Sequence, residues 1–214
     1  GFDVVDVPAQ QCCGALHAHS GELDQSRERA RVNIAAFEKA NVDYIIVNAA
    51  GCGAQMKQYG ELLEHDAEWS ERAHAFTNKV RDVSEFLSGL DLKQGAPLPL
   101  RVTFDAPCHL YHAQRITTAP LDVLRHIPEI VLIPLPHADE CCGGAGIYGL
   151  LHQELGGRIL KDKVDAVLST GADIVATPNP GCMMQIGAGM VMGGHDVAVM
   201  HPIELLAESY ARAE

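Results

Sequence analysis

The stretch ADECCGGAGIYG (138–149) sets two cysteines side by side and follows them with two glycines, and QCCGALHAHSG (11–21) repeats the pattern near the start of the chain. Adjacent cysteines are poor partners for each other, because the small ring that a bond between them would close is strained. The remaining thiols are Cys52, Cys108 and Cys182, so the seven include an odd one and cannot all pair internally. All seven sit in stretches containing Gly or Pro, and none falls on a helical pattern of apolar residues. Thiols that merely pack should lie on the apolar faces of helices and strands. Cysteines gathered in turns of a reduced protein read first as metal ligands.

Working outward from the two pairs exposes an internal repeat. After Cys12-Cys13, 38 residues pass before Cys52; after Cys141-Cys142, 39 pass before Cys182. Each interval holds a loop, a helical pattern, a short apolar run and a Gly-Cys turn. The helices are expected over 22–40, with Leu23, Ile34 and Phe37 towards one face, and over 154–171, with Ile159, Leu160, Val164, Val167 and Leu168 at helical spacing. Gly171 is a stop signal for the second. The runs 42–52 and 172–182 read as buried strands ending in turns. Upstream of the second pair, LRVTFDAPCHL (100–110) reads as a strand leading to Cys108, followed by a proline-broken helix near 119–127 and a strand over 129–136.

Helices alternating with short apolar strands predict an α/β fold of two tandem, pseudo-symmetric halves, each with a parallel sheet. The cysteines then lie at the C-terminal ends of successive strands, where such sheets place their ligands. The linker-like stretch SGLDLKQGAPLPL (88–100) divides the chain into a first half, 1–95, and a second, 96–214. The first half should own an equivalent of Cys108 upstream of Gly1, so the sequence is expected to be the C-terminal part of a longer subunit.

The balance of charge is acidic, −12 at neutral pH, and no basic block exists to neutralise phosphates. Nucleic acid and anionic membrane surfaces are therefore unsuitable partners. The longest uncharged run, 174–194, contains Pro178, Pro180 and five glycines, so it reads as turn-rich chain and not as a membrane span.

The segments 105–114, 136–150, 170–186 and 199–208, together with QQCCGALHAHSGE (10–22) and NAAGCGAQMKQYGELL (48–63), resemble the cysteine-rich CCG domain of heterodisulfide-reductase-type subunits. Within that family they are most similar to the iron–sulfur subunits of glycolate oxidases. The fuller family motif ends in CxxC, whereas this chain ends its motifs CMMQ (182–185) and CGAQ (52–55), with Gln185 and Gln55 in place of a thiol. The resemblance implies a [4Fe–4S] cluster on Cys108, Cys141, Cys142 and Cys182, with Cys12, Cys13 and Cys52 as a second, incomplete cofactor-binding set. It also implies that this chain is an electron-transfer subunit, that FAD and the oxidation of glycolate or a related 2-hydroxy acid belong to flavoprotein partner subunits, and that the complex is cytoplasmic, peripheral to the inner face of the cell membrane.

Soft thiolates suit iron, and glycines after a Cys pair let backbone N–H groups approach sulfur. Pro107, Pro178 and Pro180 stiffen the ligand turns. His17, His19, His109 and His112 flank these turns; hydrogen bonding of the turn is the expectation for all but His109, which follows Cys108 directly. Met183, Met184, Met190 and Met192 are expected to pack, and Asp105 and Asp139 to serve as turn and cap residues. Two alternatives use the same thiols. One is a zinc-binding structural module with Cys108, Cys141, Cys142 and Cys182 as its four ligands, although zinc knuckles usually draw ligands from short CxxC pairs. The other is a thiol–disulfide enzyme working through Cys141-Cys142, although such motifs want CxxC beside a helix N-terminus.

Overall fold

Short runs rich in Val and Ile that alternate with helices bury their apolar side chains by pairing in parallel beneath those helices. Every strand pairing in the computed structural model, which describes residues 1–213, is parallel. The chain forms two compact units: Gly1–Val47 with Gly51–Asp82, and Asn48–Ala50 with Val83 onward.

In the first unit the elements run α1 (Ala15–His19), α2 (Leu23–Ala40), β1 (Ile45–Val47), α3 (Ala50–Lys57), α4 (Tyr59–Leu62), α5 (Ser70–Thr77) and β2 (Val80–Asp82). Strand β1 pairs with β2, Ile46 opposite Arg81. Ala30 and Ile34 of α2 meet Ile45, Tyr59, Leu63, Ala73, Phe76 and Val80 in one core. Phe76 is its hub, stacked on Tyr59 at 5.3 Å and edge-on to Phe37 at 5.7 Å. Helix α2 ends at Asn41, whose left-handed backbone (φ 50°) Asn tolerates better than most residues.

The second unit runs α6 (Val83–Ser88), β3 (Arg101–Phe104), a π-helical turn (His109–Ala113), α7 (Ala119–His126), β4 (Val131–Ile133), α8 (Ile147–Leu151), α9 (Gln153–Thr170), β5 (Ile174–Ala176), α10 (Pro180–Met192), β6 (Ala198–Met200) and α11 (Pro202–Ala211). Its sheet has the order β4-β3-β5-β6. The central strand β5 is buried on both faces. Ile174 and Ala176 face one core with Val123, Leu124, Leu205 and Leu206 of α7 and α11, while Val175 faces another with Val164, Val167, Ile186 and Met190 of α9 and α10. The result is a three-layer sandwich. Pro120 does not break a helix as the sequence suggests; it is the second residue of α7, in the first turn, where a missing N–H and a fixed φ are tolerated. Among the described residues, no helix is long and apolar enough to cross a membrane.

The repeat read from the cysteine spacing is present in the backbone of each unit. A Cys-Cys-Gly turn leads to a five-residue helix, an 18-residue helix, a three-residue strand, and a helix carrying the third cysteine. The glycines that close the turns, Gly14 and Gly143, both have left-handed backbones, φ 80° and 86°.

In the second unit, buried His201 caps α11: its Nδ1 accepts from Ile203 N–H at 3.1 Å, and its Nε2 therefore carries the proton and donates to Asn48 O at 3.0 Å. Burial lowers its pKa from the ordinary 6.5. Below that value the unfolded chain binds a proton that the native imidazole resists, so this contribution is complete above it and is lost as the pH falls. Urea midpoints should drop between about pH 7.5 and about pH 5.5, and drop less in His201→Gln. An equal drop in both would place the acid sensitivity elsewhere.

Candidate metal centre

Strand β3 lies between β4 and β5, so the loops that leave their C-terminal ends emerge side by side on one edge, neighbouring strands being about 4.8 Å apart. Cys108 follows β3 and opens the π-helical turn. Cys141 and Cys142 sit in the loop after β4, and Cys182 follows β5. The last of these corrects the reading of all seven cysteines as loop residues: Cys182 is on the first turn of α10 and Cys52 is within α3. Glycines and methionines in PGCMMQIGAGMVM hide the helical period there, and Pro180 at the first position is the signal that marks it.

The four thiols of the second unit form a continuous row. The Cys142 thiol donates to Cys182 Sγ at 3.2 Å, and Cys141 neighbours Cys108 and Cys142 closely enough for the three to share charge. Gly143 N–H donates to Cys141 Sγ at 3.3 Å, and the backbone at Ala145 and Gly144 favours the thiolate forms of Cys141 and Cys142. Asn179 donates to Cys182 Sγ at 3.3 Å. The Cys108 thiol, then that of Cys142, holds Cys141 well below the usual thiol range. The neighbours shift the other way: proximity to Cys141 and then burial push Cys108 up, and proximity to Cys141 and then Cys182 push Cys142 up. Charge sharing among these thiols thus favours the thiolate form at Cys141 over its neighbours.

The first unit has three thiols: exposed Cys12, buried Cys13 and half-buried Cys52. The Cys13 thiol lowers Cys52 to about 7, and that bond together with burial raises Cys13. Asn33 and Tyr59, which sequence reading passes over, clamp the Cys12-Cys13 turn. Tyr59 OH donates to Cys13 O at 2.8 Å; Asn33 Nδ2 donates to Cys12 O at 3.2 Å and to Tyr59 OH at 3.1 Å, and its Oδ1 accepts from Gln11 N–H at 2.7 Å.

Asp105 is neither an exposed turn residue nor a cap. It is buried beside Lys163, with Nζ 2.9 Å from Oδ1 and both side chains almost wholly enclosed. The ammonium aims its protons mainly at His137 O (3.0 Å) and Ala138 O (3.4 Å), so the contact with Oδ1 is ionic, off hydrogen-bond geometry. Asp105 Oδ2 accepts from Thr177 at 2.9 Å. His112 bonds Asp139 O at 3.3 Å, a turn role as expected, and His109 Nδ1 stands 3.7 Å from Cys108 Sγ. Met190 packs in the core, whereas Met184 and Met192 are exposed. Among the described residues, no three or more His, Cys, Asp and Glu side chains converge on a site for a single metal ion.

A profile of the cysteine-rich domain (CCG) matches residues 1–57 and 102–187. The chain is 42% identical over 214 residues to the probable glycolate oxidase iron-sulfur subunit of Bacillus subtilis, covering 98% of this chain and 48% of that protein. It is 29% identical to lactate utilization protein A of an Exiguobacterium species, covering 100% and 88%, and 30% identical to that of Geobacillus thermodenitrificans, covering 94% and 85%. The chain thus spans about half the length of the first of these relatives and most of the other two.

The Cys141-Cys142 turn closes because Gly143 can adopt φ 86° and because a Cβ there would strike the carbonyl oxygen of Gly156 in α9. Gly143→Ala should lower stability by about 1–3 kcal/mol, read by urea unfolding. Gly157, also in α9, has open space around it, and Gly157→Ala should gain about 0.5–1 kcal/mol. Equal effects from the two would mean that the turn does not depend on its backbone geometry.

Proposed function

Since the chain belongs to the cysteine-rich CCG domain family, we propose that it is the iron–sulfur, electron-carrying part of a 2-hydroxy-acid oxidation system. One observation carries the reading: Cys108, Cys141, Cys142 and Cys182 gather at the ends of three neighbouring strands, Cys142 hydrogen-bonded to Cys182 and the Gly143 N–H directed at Cys141 Sγ. A donor set of soft thiols, one already stabilised as a thiolate, fits iron and sulfide better than it fits a hard cation. These four residues would hold a [4Fe–4S] cluster, which when bound supplies reversible one-electron storage. The N–H groups of Gly143, Gly144 and Ala145 stabilise negative charge on sulfur, which raises a reduction potential. Leu135, Val164 and Ile186 pack around Cys142 and Cys182 and exclude water from that side.

Cys12, Cys13 and Cys52 form a second, three-thiol set in this reading, within tandem domains 1–95 and 96–214. The substrate chemistry is assigned to a flavoprotein partner bearing FAD, with glycolate or lactate as the substrate class that the relatives' names support. The complex would lie in the cytoplasm, peripheral to the membrane.

Iron and acid-labile sulfide in anaerobically purified protein, with an electron paramagnetic resonance spectrum after dithionite reduction, test the proposal. Cys142→Ser should remove most of the iron and Cys52→Ser little. Equal losses would mean a single site shared by both thiol sets, and a colourless protein carrying zinc would sink the electron-transfer reading. The chain alone should oxidise neither glycolate nor lactate with a dye acceptor; turnover without a partner would move the substrate site into this chain.

A further inference from the structure

Lys163 is a charged side chain where none is needed for packing. It sits on α9, is 2% exposed at its side chain, and is surrounded by chain segments that each lead to a cysteine. Its ammonium pairs with Asp105, three residues before Cys108, and donates to the carbonyls of His137 and Ala138, in the loop that goes on to Cys141. Through Asp105 Oδ2 it is linked to Thr177, which lies between β5 and Cys182. One ammonium and one carboxylate therefore tie together all three strand-end loops that carry the thiols. Lys163 also borders the cleft of about 230 Å³ that Cys141 helps to line.

A comparison within the chain reinforces the point. Lys163 is the eleventh residue of α9, and Asn33 is the eleventh residue of α2. Both helices have 18 residues, and both use that position to donate to backbone carbonyls at or just before a Cys-Cys pair: Cys12 O for Asn33, His137 O and Ala138 O for Lys163. Helix packing alone does not require a donor at this position. Burying an ammonium there is costly unless it is fully partnered.

We propose that Lys163 and Asp105 are positioning residues for the metal centre, a buried charge pair that fixes the three cysteine-bearing loops in mutual register. The proposal rests on the reading of Cys108, Cys141, Cys142 and Cys182 as one ligand set. Groups of this kind, which orient ligands without touching the metal, change metal affinity by about 10–100-fold when removed.

Cadmium(II) alone is a suitable probe, because it takes thiolates whatever the natural centre is. Its occupancy is read as protection of Cys108, Cys141, Cys142 and Cys182 from alkylation, peptide by peptide, across a cadmium titration of the chain without iron. Lys163→Met alone strands a buried carboxylate and should lower the urea midpoint. The double variant Lys163→Met with Asp105→Leu replaces the pair by apolar groups, a change that often preserves stability, and should keep the wild-type midpoint and circular dichroism. That folded double variant should need about 10–100 times more cadmium for half-protection of the four cysteines, and should retain correspondingly less iron after reconstitution. Unchanged half-protection in it would overturn the proposal and leave the pair as core filling. Weak protection because the double variant is unfolded is settled by Lys163→Gln with Asp105→Asn, which keeps polar contacts without charge: wild-type cadmium affinity there would equally overturn it, and a loss would support it. If the wild type gathers cadmium on these four thiols but never takes iron, the cluster reading fails while the positioning role stands.

Discussion

Thiols 74 residues apart, Cys108 and Cys182, can belong to one row only because β4, β3 and β5 pair in parallel and in that order. Parallel neighbours end on the same edge, about 4.8 Å apart, so every loop after a strand delivers its first few residues to one line. An antiparallel sheet would send alternate loops to opposite ends. The burial of β5 on both faces enforces this order, since Ile174 and Ala176 need α7 and α11 while Val175 needs α9 and α10. The thiol row follows from the sandwich, and the sandwich follows from three short runs of apolar residues.

Bringing the sulfurs together creates an electrostatic problem that the sheet does not solve. Thiolates in contact repel, and burial penalises each of them further. The chain meets this locally, with N–H groups from Gly143, Gly144 and Ala145, the amide of Asn179, and protons left on Cys108 and Cys142. The left-handed backbone at Gly143 is what turns these N–H groups back towards sulfur, and its close approach to Gly156 is what a side chain would forbid. Beneath the row the Lys163–Asp105 pair is nearly closed to solvent. Removing one member of such a pair costs about 3–5 kcal/mol, a large part of a domain's whole margin of stability.

Much of this is legible because it rests on period and spacing. The expected helices over 22–40 and 154–171 match α2 and α9 to within a residue at each end, since their apolar residues recur at helical spacing and Asn41 and Gly171 close them with left-handed backbones. The parallel sheet follows from the alternation of those helices with Val- and Ile-rich runs. Helices α3 and α10 are not legible, because AGCGAQMK and PGCMMQIGAGMVM have too much Gly to show a polar and an apolar face. The burial of Lys163 is hidden for a different reason. In the run KDKVD (161–165) it looks like one more charge on a solvated helix face, and only the loops folded over that face show otherwise. Asp105 misleads in the same way, because a lone Asp before a Pro-containing turn has an ordinary local explanation.

The contrast between the two eleventh positions carries the argument one step further. In the first unit Asn33 joins Tyr59 in a neutral clamp on Cys12 and Cys13, with three thiols to hold and Cys12 open to water. In the second unit the same place on the helix bears an ammonium, with four thiols to hold and Cys142 and Cys182 buried. The charged donor comes with its own counterion, Asp105, so the pair is neutral overall, and what differs is reach: it joins three cysteine-bearing segments where Asn33 holds one turn. On that ground the second unit uses a buried pair to hold several loops in register, and the first uses a neutral clamp to shape one turn.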